Sequence, residues 1–448
     1  MRAPVALIVT VLGLALAACK GEPTSPAAGG VSVLPNPPGP PWPGTASAVT
    51  VGERANCLLA TDGTPWCWGN TRGVGLRIDI GLRVDPGGNP DVGVDSICLA
   101  NTPIGQLPGW PCNVFHPVRT STKTFTMFRE APDDAPPCGV DPSGGAYCWD
   151  QGPQYDLNPD STSAGGLAYC GGTLCLYSPQ RVHTSQVLRY YSADLQAPCA
   201  VAVSGTVLCA GDNRYNLLGS VTTNFRTDTL IPVLGAPVST AVAVAPDGNF
   251  ACALATTGKV WCWGDNTYGQ AGTNSVANRV TTPTPVASSL NFTSIAASLW
   301  TACALATSGQ AYCWGDSRAG QVGWGGLGIS RTPYPVSGGR TFTAIAASQV
   351  HFCALDAGGA AWCWGDNYYG QLGVDRTDCD AFLATPCASV PVQVRGGLTF
   401  RQISAGTGQT CGVTTSSDVY CWGWAVYGRL GPVPLTTEFI ATPVKITP

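Results

Sequence analysis

The chain has 448 residues, of which only 11% are charged, and a formal net charge of −4. That balance offers neither a basic field for nucleic acid nor an acidic tail, so nucleic-acid partners are excluded. Its 21 cysteines are far too many for an ordinary reduced cytosolic protein, and place the chain among exported, disulfide-bonded proteins.

The chain begins "MRAPVALIVTVLGLALAACK". One Arg precedes an apolar run of about fourteen residues, shorter than the roughly 20 a membrane-spanning helix needs, so residues 1–18 read as an export signal. Its "LAAC" ending resembles the lipobox of bacterial lipoproteins. The resemblance implies cleavage before Cys19, with diacylglycerol on the Cys19 sulfur and an acyl chain on its new amine, which together anchor stably to a membrane. The alternative is an ordinary signal cut nearby, with Cys19 incidental. Lys20 is not the Asp of inner-membrane retention, which favours the outer membrane or cell surface. Proline and glycine then dominate residues 19–46, a semi-extended spacer.

Repeats occupy residues 47–448. "CALATTGKVWCWGDNTYGQAG" starts at 252, "CALATSGQAYCWGDSRAGQVG" at 303 and "CALDAGGAAWCWGDNYYGQLG" at 353. Seven cysteine pairs share this ten-residue offset: Cys57/Cys67, Cys138/Cys148, Cys199/Cys209, Cys252/Cys262, Cys303/Cys313, Cys353/Cys363 and Cys411/Cys421. A basal period near 50 residues marks a propeller or solenoid. Each unit reads as four short strands: an alternating "FTSIAAS" or "FTAIAAS", a pair around a Gly-containing turn, and a proline-flanked edge segment such as "TPTPVAS". Little helix is expected. Three stretches depart from the period, near 72–115, 150–177 and 374–389, and each holds a further pair: Cys98/Cys112, Cys170/Cys175 and Cys379/Cys387. All three fall between the wide turn and the outer strand, which predicts that they emerge on one rim.

Centring the turn on residues 307–309 sets Cys303 opposite Cys313, Ala304 opposite Tyr312 and Leu305 opposite Ala311. Directly opposed residues lie within disulfide reach, so the repeated cysteines are expected to staple hairpins. The same arithmetic opposes Ala253 to Trp261, Ala354 to Trp362, Gly412 to Tyr420 and Gly139 to Tyr147. One face then carries Cys and aliphatic side chains, the other small residues and aromatics, and adjacent sheets are expected to interlock. A metal array is the rival account. Nine residues between sulfurs and only three histidines fit zinc spacing poorly, so no metal and no cofactor is assigned.

The run from "IAAS" through "CALxxxGxxxCWGDNxYGQLG" to "PxPV" resembles the repeat of the regulator of chromosome condensation family. The match is close in units four to six, good in the last, and eroded in the first three, as in "CGVDPSGGAYCWDQG". The resemblance covers about residues 47–448 and implies an all-β, seven-bladed propeller of four-stranded antiparallel blades, here with one hairpin disulfide per blade. The family includes a nuclear nucleotide-exchange factor, a plant ultraviolet receptor and a secreted bacterial inhibitor of β-lactamase, so the fold alone does not settle function.

Catalytic chemistry is hard to place. His116, His183 and His351 lie in no nucleophile motif. Asp212, Asp265, Asp316 and Asp366 recur one per unit, as turn chemistry does. Trp261, Trp263, Trp314, Trp362, Trp364 and Trp422 sit at fixed offsets and read as packing. An exported, lipid-anchored chain never meets a nuclear GTPase, and no Gly-Trp-Arg-His-Thr segment supports light sensing. The reading is a membrane-anchored, non-enzymatic interaction module with protein as the favoured partner. The alternatives are an inhibitor of a secreted or periplasmic enzyme and, behind it, a carbohydrate-binding or carbohydrate-acting protein. The disulfide-bearing insertions form a binding rim or are neutral decoration.

Overall fold

The computed structural model describes residues 44–52, 55–70, 96–97, 113–119, 124–129, 138–148, 167–170, 173–176, 180–181, 184, 186–192, 198–219, 226–245, 249–375, 386–431, 433 and 437–447. In the fifth repeat Phe292–Ala297, Thr301–Ala306, Ala311–Asp316 and Ile329–Pro335 pair in sequence order as an antiparallel sheet. The tight turn after the second strand closes because Gly309 adopts φ +83°, a conformation that costs an L side chain energy. Cys303 then faces Cys313, Ala304 faces Tyr312 and Leu305 faces Ala311. The same register opposes Ala253 to Trp261, Ala354 to Trp362, Gly412 to Tyr420 and Gly139 to Tyr147.

Sulfur bridges join Cys57–Cys67, Cys199–Cys209, Cys252–Cys262, Cys303–Cys313, Cys353–Cys363 and Cys411–Cys421, with Cα atoms 4.0–4.1 Å apart. Cys138, opposite Cys148 in its ladder, and Cys387 are also disulfide-bonded. Cys19, Cys98, Cys112 and Cys379 lie outside the described residues.

The third strand bulges as it meets the outer one, between Cys313 and Gly315. A Cβ on Gly315 would lie 2.1 Å from the Trp300 carbonyl oxygen, so only glycine fits there. Outer strands carry Pro283, Pro333, Pro391 and Pro443, which lack an N–H and so blunt an edge that would otherwise recruit another strand. The one helical segment among the described residues is a single 3-10 turn, Val426–Gly428. No helix among them is long and apolar enough to cross a membrane.

Six of the sheets are four-stranded, so the expectation of seven four-stranded blades is corrected to six. The first repeat departs for a physical reason. Ser96–Ile97, from within its insertion, pairs with the outer strand Asn113–Arg119 and makes that sheet five-stranded. In the second repeat the insertion forms its own hairpin, Leu167–Cys170 with Thr173–Leu176. Its register opposes Cys170 to Thr173 and Cys175 to Ala168, so these two cysteines are not direct partners across the ladder. The outer strands of the first and sixth repeats start at Asn113 and Cys387. All three insertions connect a third strand to an outer strand.

Stapled faces pack on the next sheet, most often on its buried Trp; Cys138 and Val140 of the second repeat meet Leu208 and Ala210 instead, Ala210 standing where other units have Trp. Cys252, Leu254 and Cys262 share a buried cluster with Ala302, Ala304 and Trp314. Cys303, Leu305 and Cys313 do so with Ala354 and Trp364. Cys411, Val413 and Cys421 of the last repeat pack on Leu58, Ala60 and Trp68 of the first, which closes the ring. The buried indoles also reach across polar ground, because an unbonded N–H inside a core is costly. Nε1 of Trp263, Trp314, Trp364 and Trp422 donates to the carbonyls of Leu217, Gln270, Gln321 and Gln371 in the preceding repeat, at 2.8–3.0 Å. Trp68 closes the series on Arg429 at 2.8 Å.

The closing junction has its own chemistry. The Gln402 side-chain amide pairs with both the N–H and the carbonyl of Val49, each at 3.0 Å. Val51 N–H donates to Ser404 Oγ, and Arg401 donates to the Ala46 and Ser47 carbonyls. Each repeat sheet is built from one contiguous stretch of chain. Side chains and the Ala46 N–H bond to the Ser417 carbonyl, rather than an exchanged strand, therefore hold the first and last sheets together.

At the junction of the sixth and last sheets His351 is fully buried. Thr410 Oγ1 donates to the Gln371 carbonyl, so it accepts from His351 Nε2–H at 2.9 Å, and Ser348 Oγ lies 2.5 Å from Nδ1. Desolvation lowers the His351 pKa to about 3. Native His351 thus binds fewer protons than the unfolded chain between its unfolded pKa of about 6.5 and about pH 3. Its contribution is fully present above that upper limit and is lost as pH falls through the window. Urea titrations at several pH values should show His351→Gln with a shallower loss below about pH 6.5, by up to about 1.4 kcal/mol per pH unit. At neutral pH, Trp364→Phe should cost about 1 kcal/mol through the lost N–H bond, and Trp364→Ala about 3–5 kcal/mol, in the same assay.

Candidate interaction face

The wide turn after each third strand is fixed by its own side chains. Asp265 accepts from the N–H and hydroxyl of Thr267 and from Gln270 Nε2. Asn266 Oδ1 accepts from Ala271 N–H, while its Nδ2 donates to the Ser275 and Ala277 carbonyls. Asp366, Asn367 and Gln371 repeat the scheme in the sixth unit. Burial raises the Asp366 pKa, opposed by the Tyr368 N–H and the Gln371 amide. Asp212 accepts from Arg214 N–H. The four recurring aspartates are therefore turn caps, their oxygens engaged within their own turns.

Between these caps the turns present aromatic rings and guanidinium groups. Tyr268 lies 5.6 Å from Trp300, a residue of the loop joining the first two strands of the next sheet. The Arg318 guanidinium sits 4.6 Å from the Tyr268 ring and 5.7 Å from Trp300. It is held by the buried Asp316 carboxylate at 2.9 Å, and that hydrogen bond raises the Arg318 pKa. In the sixth and last repeats Tyr369 stacks on Trp424 at 4.8 Å over the fully buried Arg429, 4.1 Å from the Trp424 ring, and Tyr368 is 50% exposed. A third group pairs Arg279 with Tyr215 at 5.4 Å. Rigid aromatics beside arginines make the composition typical of protein-interface centres, and cation–π contact holds each guanidinium in place.

The residues singled out by sequence separate into three sets. Trp263, Trp314, Trp364 and Trp422 are wholly buried packing residues. Trp261 and Trp362 are half-buried, and Trp362 carries the Arg340 guanidinium 3.4 Å from its ring. His351 is structural, and the side chains of His116 and His183 lie outside the described set. Sequence reasoning missed Trp300, Trp424, Tyr268 and Tyr369 as a group. A signal was available: Trp300 and Trp424 fall off the repeat offsets, the latter standing where other units have Asp.

Residues 248–270, 292–321 and 342–371 match the family described as the Regulator of chromosome condensation (RCC1) repeat, as do residues 358–413 in a second model of that description. Among solved structures the chain is similar to Prp20p from Saccharomyces cerevisiae, with a TM-score of 0.61 and 17% identity over 75% of this chain and 81% of that one. Human WBSCR16 gives a TM-score of 0.59 and 17% identity over 75% and 85%. Yeast RCC1 (Prp20) bound to Kap60 gives 0.57 and 18% over 80% and 77%. At such identities the likeness is one of fold. Segments between residues 248 and 413 thus match RCC1 repeats, and the propeller is similar in fold to these structures.

Proposed function

We propose that this propeller is an extracytoplasmic, lipid-anchored, non-enzymatic module that binds a protein through the face carrying Tyr268, Trp300, Arg318, Tyr368, Tyr369 and Trp424. The observation behind the reading is the clustering of rings and guanidiniums on turns whose backbone is already hydrogen-bonded. Such a surface loses little conformational entropy on binding. Repeated sulfur bridges among the described residues agree with an oxidising compartment. Fold neighbours add support by analogy, since Prp20p has binding properties toward Gsp1p and histones.

The anchor is Cys19, at the end of its Leu-Ala-Ala run. The insertions near 72–115, 150–177 and 374–389, with the pairs Cys98/Cys112, Cys170/Cys175 and Cys379/Cys387, enlarge the interaction surface.

Growth with a clickable fatty acid should label the native chain, and Cys19→Ser should abolish the label and release the protein from membranes. Crosslinked purification from the producing cell should recover one dominant protein partner. Tyr268→Ala with Tyr368→Ala should cut its yield at least tenfold, with the thermal midpoint shifted by no more than a few degrees. Equal recovery by wild type and variant contradicts the assigned face.

A further inference from the structure

The opposite face is lined by the narrow turns between second and third strands. There the last turn residue lends its carbonyl to the first residue of the next sheet: Gly144 to Leu188, Gly205 to Ser239, Gly309 to Phe342 and, across the closing junction, Ser417 to Ala46, at 2.7–3.0 Å. The described residues begin at Gly44, two residues before this last contact.

Equivalent positions expose how unusual one sector is. The residue before the inner strand is Thr124, Asn291, Thr341 or Thr399 in four repeats, all exposed. In the third and fourth it is Val187 and Val238, 54% and 59% exposed. The corresponding turn position holds exposed Thr61, Thr256, Thr307 and Thr415, with Pro142 and Ala357 in the second and sixth repeats, but the third repeat has Val203, 53% exposed. These valines are neighbours. Val203 N–H donates to the Val187 carbonyl at 2.9 Å, and a Cβ built on Gly205 would lie 2.5 Å from Val238 Cγ1. Leu234, past the outer strand of the same repeat, is 52% exposed. Exposed Arg189 reaches the Val203 carbonyl and makes no ion pair among the described residues.

A framework that takes Thr, Asn, Pro or Ala at these sites has no folding need for Val, and clustered exposed aliphatics mark a contact surface. Their type decides the occupant. Val and Leu are under-represented among protein-binding hot spots, whose aromatic and arginine components lie on the other face. Protruding aliphatics with one cation suit the headgroup–acyl boundary of an anionic bilayer. Tether length sets a bound: 24 residues separate Cys19 from Gly44, a reach of at most about 75 Å at the ~3.1 Å per residue of a proline-rich spacer, so an anchor at Cys19 keeps the protein close to the bilayer.

We infer that Val187, Val203, Leu234 and Val238 dock this face on an anionic lipid surface, with Arg189 meeting a headgroup phosphate. The inference rests on the lipid-anchor reading, so its test uses the full chain carrying Cys19→Ser, which lacks the acyl group. Hydrogen exchange would be followed with and without vesicles of phosphatidylcholine and phosphatidylglycerol at millimolar lipid. Amides of 186–189, 203–206 and 238–240 should slow at least threefold with vesicles, while those of 266–272 and 367–373 stay unchanged. Val187→Thr/Val203→Thr/Val238→Thr, which installs the residue used at equivalent sites, should fold normally and lose the effect. No slowing, slowing retained by the triple variant, or equal slowing in concentrated vesicle-free protein from self-association would each overturn it. The anchor reading is judged separately, by the acyl mass on Cys19 of the native chain.

Discussion

A hairpin whose two strands are clipped by sulfur, pressed against the indole of the next sheet, is the contact from which the rest of the molecule follows. Opposed cysteines hold the second and third strands at a fixed spacing, so the face they share with Leu or Val is flat and preformed. The neighbouring Trp fills that face and sends its N–H back to a carbonyl of the preceding wide turn. One ring thereby links a core, a strand pair and a surface turn. The first and last sheets repeat this contact through Trp68 and Arg429, while the third sheet, with Ala210 in place of the Trp, packs through Leu208 and Ala210.

Much of this was legible in the sequence, for identifiable reasons. A ten-residue cysteine offset with a Gly turn between leaves one hairpin register, and Cys303 with Cys313 or Ala354 with Trp362 occupy it. The recurring aspartates read as turn caps because one per unit is too regular for a single catalytic centre, and their oxygens are spent within the turns. The fifth strand of the first sheet was not legible: Ser96–Ile97 is a two-residue pairing inside a long insertion, too short for any periodicity. The closing junction was also hidden. Gln402 and Ser404 look like ordinary strand residues until the first sheet's backbone lies opposite them. The aromatic face escaped for a related reason, since Tyr268 and Trp300 come from different repeats and meet only after the sheets pack.

The two faces of the ring divide the remaining chemistry. Wide turns carry aromatics, guanidiniums and the connections that hold the insertions, while narrow turns carry a local patch of valines. Both surfaces exploit the same property: a repeated backbone that is satisfied internally leaves side chains at its turns free to vary. Variation appears where repeats differ, as at Trp424 in place of Asp and Val203 in place of Thr.

The clipped hairpin is open to direct chemical test. Proteolysis of the unreduced protein followed by mass spectrometry should recover peptides linking cysteines ten residues apart within one repeat, Cys252 to Cys262 and Cys353 to Cys363 among them, with no free thiol at these positions. Free thiols there, or bridges joining one repeat to another, would contradict the account.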